Sequence, residues 1–596
     1  MADPMGMAGG GRTPPEGGDA AGRAHPPAGS AGASDGSGNM LTDYRTVAVW
    51  TLVSRITGFC RIIVMGAVLG PTYFANIFQT TAYVPNILFG VLGGSMVGAV
   101  LVPPLVRSTD EAVFRRLANG FLGAMLPILL AAALLTTLLA TPLLALATAA
   151  VDDPQVRHQQ QQAGYALLLF LLPQLPLYGI AAIGMAVQQA RGRFAIAAAA
   201  PAAENIASIA VLGVSALVFG VGHELHEVGT GQLILLGAGT TAAVGVHAAV
   251  QLWGAWRAGA PLFPRAGWQD AEVRGIVRVG FASGAYTALQ NLVFLMLLVA
   301  AGSIPGGAVA FQFGFNFAAL PVALVAVPLA SAQLPRLSRA IAGSPAAFRS
   351  LLAESLAFGR FLTLPAAFLL VALSEPLARA VTFGEMTTDA GVAIVAAGIG
   401  GLGLGVFGEA SMSLLSSAAY ARRKVAAPVW AMALRAVVAA AGTGLALGVM
   451  DGPSVLWTLG LGQSAGSLLA AAYLHRTLMR SRPANPPEGT ARTRGGTRAF
   501  LGDMAIAALS MTAGGAVAFW IGSAPGGQAQ AAGGVVVGAA IGGGLYLAIH
   551  WVRGSRELAS LVSMIRGGPS HAGGTDARSK GIRAVLGPTP GRVRAE

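Results

Sequence analysis

Residues 45–69 read RTVAVWTLVSRITGFCRIIVMGAVL. Between Thr46 and Leu69 the only charges are Arg55 and Arg61. A helix rises about 1.5 Å per residue, so this run reaches across the roughly 30 Å hydrocarbon layer of a bilayer. It does not alternate over about ten residues, as a barrel strand would. No water is present there to take up backbone N–H and C=O groups, so the form left to such a segment is a helix that bonds its own.

Runs of the same kind recur. Fourteen spans are expected, at about 45–69, 75–103, 117–148, 162–188, 194–220, 231–255, 275–301, 308–335, 350–382, 388–418, 424–449, 453–478, 498–521 and 530–553. Of the 596 residues, 54% are hydrophobic and 11% charged, against roughly 25% charged in a soluble domain. Mean hydropathy is +0.65. So few charges leave the surface of a soluble multidomain enzyme uncovered, and the chain is too apolar for a disordered protein. Residues 1–40 and about 568–596 are Gly-, Pro- and Ser-rich and are expected to be disordered tails. No apolar run follows a basic start, so residues 1–40 are not read as a signal peptide. The single cysteine, Cys60, allows no intrachain disulfide and reads as a packing residue.

The net charge of +13 finds its explanation in topology. With the N-terminus inside, 33 of the 38 Lys and Arg fall on the cytoplasmic side, counting those at span ends with the adjoining loop. Arg157 and Arg379 fall outside, and Arg55, Arg61 and Arg435 lie within spans. This asymmetry predicts both termini in the cytoplasm and an even number of spans. It accounts for the charge without nucleic acid.

A repeat runs through the spans. Val102-Pro103-Pro104-Leu105-Val106-Arg107 ends span 2, and Leu334-Pro335-Arg336-Leu337-Ser338-Arg339 ends span 8. Both read x-Pro-x-Leu-x-Arg, 232 residues apart. Pro85 and Pro321 are 236 apart, Arg193 and Arg423 230 apart. The near-constant offset predicts two six-helix halves with spans 13 and 14 added. Six spans separate equivalents, so both halves point the same way, with a pseudo-two-fold along the membrane normal and a site between them.

Span 1 carries the clearest candidate chemistry. An arginine near the bilayer centre costs about 2.5–3.5 kcal/mol on the insertion scale. Steps of three place Arg55, Gly58 and Arg61 along one ridge, with Gly58 leaving room between the cations. Facing a water-filled cavity, such a pair suits a phosphate or pyrophosphate, because the guanidinium fork binds oxyanions bidentately. The alternative is a structural pair that caps carbonyls or bridges helices. Other intramembrane polar groups are weaker signals: Glu204 and Asn205 in span 5, Gln290 and Asn291 in span 7, Gln312 and Asn316 in span 8, Glu409 in span 10 and Arg435 in span 11. Glu409 and Arg435 are expected to pair across adjacent helices. Glu204 is a candidate for carrying a coupling proton or sodium. The amides are expected mainly to join helices. His223-Glu224-Leu225-His226-Glu227 spaces its histidines at i, i+3 rather than the i, i+4 of a zincin helix, and reads as a polar outer loop. Walker A and H-E-x-x-H sequences are absent, so nothing calls for an enzyme, a metal or a cofactor.

At these residues the chain resembles the MurJ (MviN) family, the lipid II flippases of the MOP exporter superfamily. The resemblance rests on Ser54-Arg55, Gly58-Phe59 and Arg61 in span 1, and on Val84-Pro85-Asn86 and Leu92-Gly93-Gly94 in span 2. Gly192-Arg193-Phe194 and Pro201 carry it in span 5, and Leu320-Pro321 with the Leu334–Arg339 motif in span 8. Span 9 adds Leu364-Pro365, Ser374-Glu375-Pro376-Leu377 and Phe383-Gly384, and Tyr420-Ala421-Arg422-Arg423 precedes span 11. The resemblance implies an all-α, MATE-like membrane fold and alternating access between two lobes. It implies a cationic cavity for the pyrophosphate and a lipid-tail groove at spans 13 and 14. Where the family pattern expects charges, this chain has Ile62, Asn76, Phe89, Gly90, Gly94 and Asn316, so Arg55 and Arg61 are the alignable cavity cations.

The expectation is a flippase in the bacterial inner membrane that moves a polyprenyl-pyrophosphate-linked cell-wall precursor, foremost lipid II, to the outer leaflet. An ion gradient or the membrane potential would drive it. Arg55, Arg61, Asn76, Asn86 and Asn316 are the expected substrate residues. Glu204, Gln290, Asn291, Gln312, Glu409 and Arg435 are expected in ion coupling or a polar cavity. The expected organisation is 1–40 tail, 41–270 N-terminal lobe, 271–480 C-terminal lobe, 481–497 linker, 498–555 spans 13 and 14, and 556–596 basic tail. The alternatives are an exporter of another lipid-linked glycan or a small molecule, or a non-transporting scaffold for cell-wall synthesis or division proteins.

Overall fold

The computed structural model describes residues 35–94, 97–479, 494–523 and 527–565. The expected tails, 1–34 and 566–596, and most of the 481–497 linker lie outside the described residues. The first helix begins at Asp35, ahead of the expected start of span 1, and runs to Leu69.

All regular structure among the described residues is helical. Among the described residues, twelve helices are long and apolar enough to cross a membrane, and thirteen if the pair Ala271–Gly280 and Ala285–Ala301, bent by 46°, is one span. The expected count of fourteen is not confirmed by this test. The remaining expected span, 75–103, is divided into a helix Tyr73–Phe89, π-turns Gly90–Gly94 and Val97–Leu101, and a short helix Val102–Arg107. Span 8 carries the matching π-turn, Val322–Ala326, between helices Gly307–Pro321 and Val327–Gly343. The cause lies in the prolines. Pro85 and Pro103 bracket the π-turns of span 2, and Pro321 and Pro328 bracket that of span 8. A ring without an N–H removes one i→i−4 bond and crowds the carbonyl behind it, so the helix widens locally.

The helix contacts of the first half recur in the second. Span 5 (Phe194–Phe219) packs on spans 1 and 6, and span 11 (Ala426–Val449) packs on spans 7 and 12. Span 4 (Pro154–Ala190) packs on spans 2 and 6, and span 10 (Asp389–Ala421) on spans 8 and 12. The largest apolar cluster lies where spans 1, 2, 7, 8 and 10 converge, around Phe74, Phe78, Phe294, Phe311 and Phe313. A second cluster fills the first half around Phe114 and Phe121, and a third fills the second half around Phe348 and Met432. Spans 13 and 14 (Arg498–Gly522 and Gly527–Val552) pack against each other and against span 9, where Tyr546 donates to the Phe361 carbonyl at 2.9 Å. Arg360 pairs with Asp503 at 2.9 Å beside that contact.

The outer surface is as apolar as the core. Leu217 is 89% exposed, Trp520 77% and Leu138 72%. In water these side chains would forfeit their transfer free energy, whereas against acyl chains they lose nothing.

Candidate functional site

A cavity of about 480 Å³ opens between the halves, lined by spans 1, 4, 5 and 8. Its span 1 wall runs from Val47 to Ile62 and carries Arg55, Gly58, Phe59 and Arg61. Gln312 and Asn316 face it from span 8, and Asn205 and Gln189 from the first half. No carboxylate is among the lining residues. Arg55 is exposed and Arg61 half-buried. Two guanidiniums in a cavity whose lining holds no acid are suited in chemistry to an anion, because the fork offers planar, paired donors.

The ridge predicted from the spacing is present, with Gly58 in a different role. A Cβ at Gly58 would lie 3.3 Å from Asn205 Nδ2, so the glycine lets span 5 approach. The Asn205 amide then donates to the Ser54 carbonyl at 3.2 Å and to Thr57 Oγ1 at 3.3 Å. These bonds fix the rotation of span 1 about its axis, and that rotation turns both arginines into the cavity.

The far end of the cavity is closed. Phe59 meets Phe317 edge-on at 4.8 Å and Phe313 at 6.4 Å. Beyond them Gln79 Nε2 donates to Gln312 Oε1 at 3.4 Å. Asn76 is 2% exposed, and its amide donates to the carbonyls of Gly302 and Ile304 at 3.1 and 2.7 Å. Its Oδ1 accepts from the Ala308 N–H at 3.0 Å. The Gly306 N–H reaches the Thr72 carbonyl at 3.0 Å, and positive φ (70°) lets that backbone lie against Pro71. Every polar atom of the Asn76 side chain is engaged in this joint between the halves, so Asn76 stands apart from the cavity it was expected to line.

Asn86, another expected substrate residue, is exposed and begins a chain of polar groups across the first half. Its Nδ2 donates to Tyr178 Oη at 3.2 Å, and Tyr178 Oη donates to Glu204 Oε1 at 3.2 Å. Glu204 Oε2 lies 2.7 Å from His247 Nδ1. Gln251, one turn along span 6, lies 3.5 Å from His247 Nε2, and Gln188 donates to Gln251 Oε1 at 2.6 Å. Arg61 is near enough to act electrostatically on Tyr178, which ties this chain to the cavity. Reading of the sequence missed His247 and Tyr178. The signal for His247 was available, since an ionisable residue in the middle of an apolar span marks a partner or a pathway. Tyr178 carried no such signal.

In the second half Arg435 Nη1 lies 2.7 Å from Glu409 Oε1, the expected pairing, and Ser467 Oγ donates to Glu409 Oε2 at 3.0 Å. Glu409 and Arg435 stand 231 residues beyond Tyr178 and Glu204, so each half keeps a largely buried acid–base cluster at matching positions. Asn291 abuts Gly90 in the π-turn of span 2, where a Cβ would collide with its amide. Gln290 and Asn291 are half-buried and outside the cavity lining. The His223–Glu227 segment is a loop, with His223 Nδ1 against Gln232 Oε1 at 3.2 Å and the Glu224 N–H bonded to Glu227 Oε2 at 2.9 Å. Burial and the nearby Glu227 push the Glu224 carboxyl above its usual range.

Comparison with known proteins places this geometry. In structure the chain is similar to a lipid II flippase MurJ in an inward closed conformation. The TM-score is 0.64 at 15% identity, over 85% of this chain and 99% of that one. It is also similar to an inward-facing MATE family transporter of the MOP superfamily, with TM-score 0.54 at 14% identity over 72% and 94%. In sequence it is 26% identical over 350 residues to a probable lipid II flippase MurJ of Rhizobium meliloti, covering 57% of this chain and 63% of that protein. A second, from Bdellovibrio bacteriovorus, is also 26% identical over 350 residues, covering 56% and 62%. The alignments thus span under two thirds of these two relatives' own length. The model of the family described as lipid II flippase MurJ matches residues 65–523, a region that begins after Arg61. That match covers most of the chain, and with the shared fold it establishes that the protein belongs to the lipid II flippase MurJ family.

Proposed function

We propose that this chain is a flippase of the bacterial inner membrane. It carries a polyprenyl-pyrophosphate-linked cell-wall precursor, foremost lipid II, from the inner to the outer leaflet. The observation that carries the reading is the cavity between the halves, which presents Arg55 and Arg61 and no carboxylate. A pyrophosphate is an anion of matching charge, and charge-assisted bonds from paired guanidiniums are among the strong ones. Asn316 and Gln312 add neutral polar contacts. Asn86 contributes through Tyr178 rather than from the cavity wall.

Residues 41–270 and 271–480 act as the two rocking lobes, with both termini in the cytoplasm as the arginine distribution requires. The cavity then opens inward, with the Phe59 and Asn76 contacts closing the outer side. Transport exchanges those contacts for an inner closure. Glu204 and His247 form the coupling element. A proton exchanged there would change the charge of the pair, and the polar chain through Tyr178 carries the change toward Asn86 and Arg61. A membrane potential supplies about 2.3 kcal/mol per charge per 100 mV. Cell-wall synthesis or division proteins are the fitting partners for such a role.

Expression in a bacterium depleted of its own lipid II flippase tests the reading. Restored growth with lipid II reaching the outer leaflet is expected. A well-expressed chain that moves no lipid II would turn the reading to another lipid-linked glycan or to the scaffold role.

A further inference from the structure

Two glycines of the first half leave room for one carboxylate of the second. Gly70 follows the last residue of span 1, and Gly222 lies in the loop between spans 5 and 6. Glu385 lies in the turn Gly384–Thr387 between spans 9 and 10. The Gly222 N–H bonds the Val68 carbonyl at 2.9 Å, so the loop and the end of span 1 form one surface. Glu385 is seated in that surface. A Cβ at Gly70 would lie 2.9 Å from Glu385 Cβ, and a Cβ at Gly222 would lie 2.9 Å from Glu385 Cγ and from its carboxyl carbon. Both distances are well inside ordinary contact between carbon atoms.

Both glycines have positive φ, 69° and 70°. A left-handed residue is normally glycine whatever surrounds it. The space around these two is a separate matter. Gly192, Gly259 and Gly452 have positive φ as well, and nothing lies within 4 Å of the Cβ that each lacks. At Gly70 and Gly222 that place is filled by Glu385. Gly384 repeats the pattern from the opposite side of the joint: its φ is 54°, and its Cβ would meet the Ala67 carbonyl oxygen at 2.5 Å. Met386, the next residue after Glu385, is 0% exposed and belongs to the apolar cluster where the halves converge. It anchors the turn and so fixes where Glu385 stands.

We propose that Glu385 is a positioning residue of transport, the latch of the outer closure, seated in a glycine socket of the first half when the outer side is shut. The latch acts by shape. The half-buried side chain fills the space over Gly70 and Gly222, and it leaves that socket when the lobes part. Its place between the end of span 1 and the loops 5–6 and 9–10 puts it at the same end as the Asn76 joint. The inference rests on the alternating access proposed above and extends it to a residue outside the cavity.

The test is the rate at which a membrane-impermeant maleimide, added outside spheroplasts, labels Gln312→Cys in a full chain that also carries Cys60→Ser. Gln312 lies behind the closure, so labelling from outside reads opening of the outer side. At matched membrane levels Glu385→Ala is expected to label about fourfold faster than this parent, the worth of two half-buried methylenes. Glu385→Gln keeps the shape and is expected to label as the parent does. Gly222→Ala is expected to label faster, and combining it with Glu385→Ala is expected to add nothing to the faster of the two, because they break one contact. Gly452→Ala carries the same backbone penalty in open space and is expected to label as the parent does. Parent rates in both Glu385→Ala and Gly222→Ala would overturn the latch, and so would Glu385→Gln labelling as fast as Glu385→Ala. Equal acceleration by Gly452→Ala, or effects that multiply in the double variant, would overturn the socket. No labelling in any chain would overturn the alternating-access reading itself.

Discussion

Gln79 on span 2 and Gln312 on span 8 meet side chain to side chain at 3.4 Å, and they stand at matching places in the two halves. Residue and repeat-equivalent touch only near a two-fold axis, so this contact marks where the pseudo-symmetry axis leaves the bundle. The Asn76–Ala308 bond, 3.0 Å, lies at the same end. Rocking the lobes to open the outer side must separate these pairs.

A short bis-thiol cross-linker between Gln79→Cys and Gln312→Cys, in a Cys60→Ser background, is therefore expected to hold the outer side closed and stop transport. Cleaving the linker is expected to restore it. Asn76→Ala, which removes three bonds of the joint, is expected to shift the population toward the outward-open form by about 1–3 kcal/mol. Hydrogen exchange at residues 302–308 reads that shift. Unchanged transport after complete cross-linking would rule out separation at this end.

The Glu204–His247 pair, 2.7 Å apart, holds a different base from the Glu409–Arg435 pair of the second half. Imidazole ordinarily changes charge between pH 5 and 8, whereas the guanidinium of Arg435 stays charged. The groups that contact the pair are Tyr178 from span 4 and Gln251 on the His247 helix, and Arg61 from span 1 acts on Tyr178. Flipping by the wild type in vesicles is expected to respond to an imposed proton gradient, and Glu204→Gln and His247→Gln are each expected to lose that response. An equal response from all three would remove the pair from coupling.

Arg435 is 5% exposed at its side chain and Glu409 27%. Arg435→Ala leaves a carboxylate unpaired inside the second half and is expected to lower stability by about 3–5 kcal/mol, near the lower end because Glu409 is partly open. The double variant Arg435→Met with Glu409→Gln is expected to recover most of the loss. Thermal unfolding in detergent separates the two outcomes, and a double variant as unstable as Arg435→Ala would show that the pair acts otherwise.

Much of this architecture is legible in the sequence because lipid leaves the backbone few options. An apolar run of sufficient length has to be a helix, and Arg55 and Arg61 on such a run have to face something other than acyl chains. Their shared cavity and the Glu409–Arg435 pair follow from that reasoning. The π-turns of span 2 were not legible, because hydropathy registers Pro85 and Pro103 only as single residues, while their effect is to widen the helix near them. Asn76 read as a substrate residue because its position along span 2 is visible in sequence and its partners, the backbone of 302–308, are not. His247 went unpaired for a similar reason. Which face of span 6 meets span 5 depends on the packing of small residues such as Gly239 against Val211, and not on any period in the chain.

The most direct measurement of the central claim is lipid II arriving at the outer leaflet of cells that depend on this chain. It compares wild type, Arg55→Ala, Arg61→Ala and Arg61→Lys at matched membrane levels. Loss of one guanidinium from the pyrophosphate site is expected to cut the flipping rate about tenfold or more, at the strong end for charge-assisted bonds. Arg61→Lys is expected to recover part of the loss, since it keeps the charge and lacks the fork. Wild-type flipping that persists undiminished in both alanine variants would contradict the assignment of Arg55 and Arg61 as the pyrophosphate site.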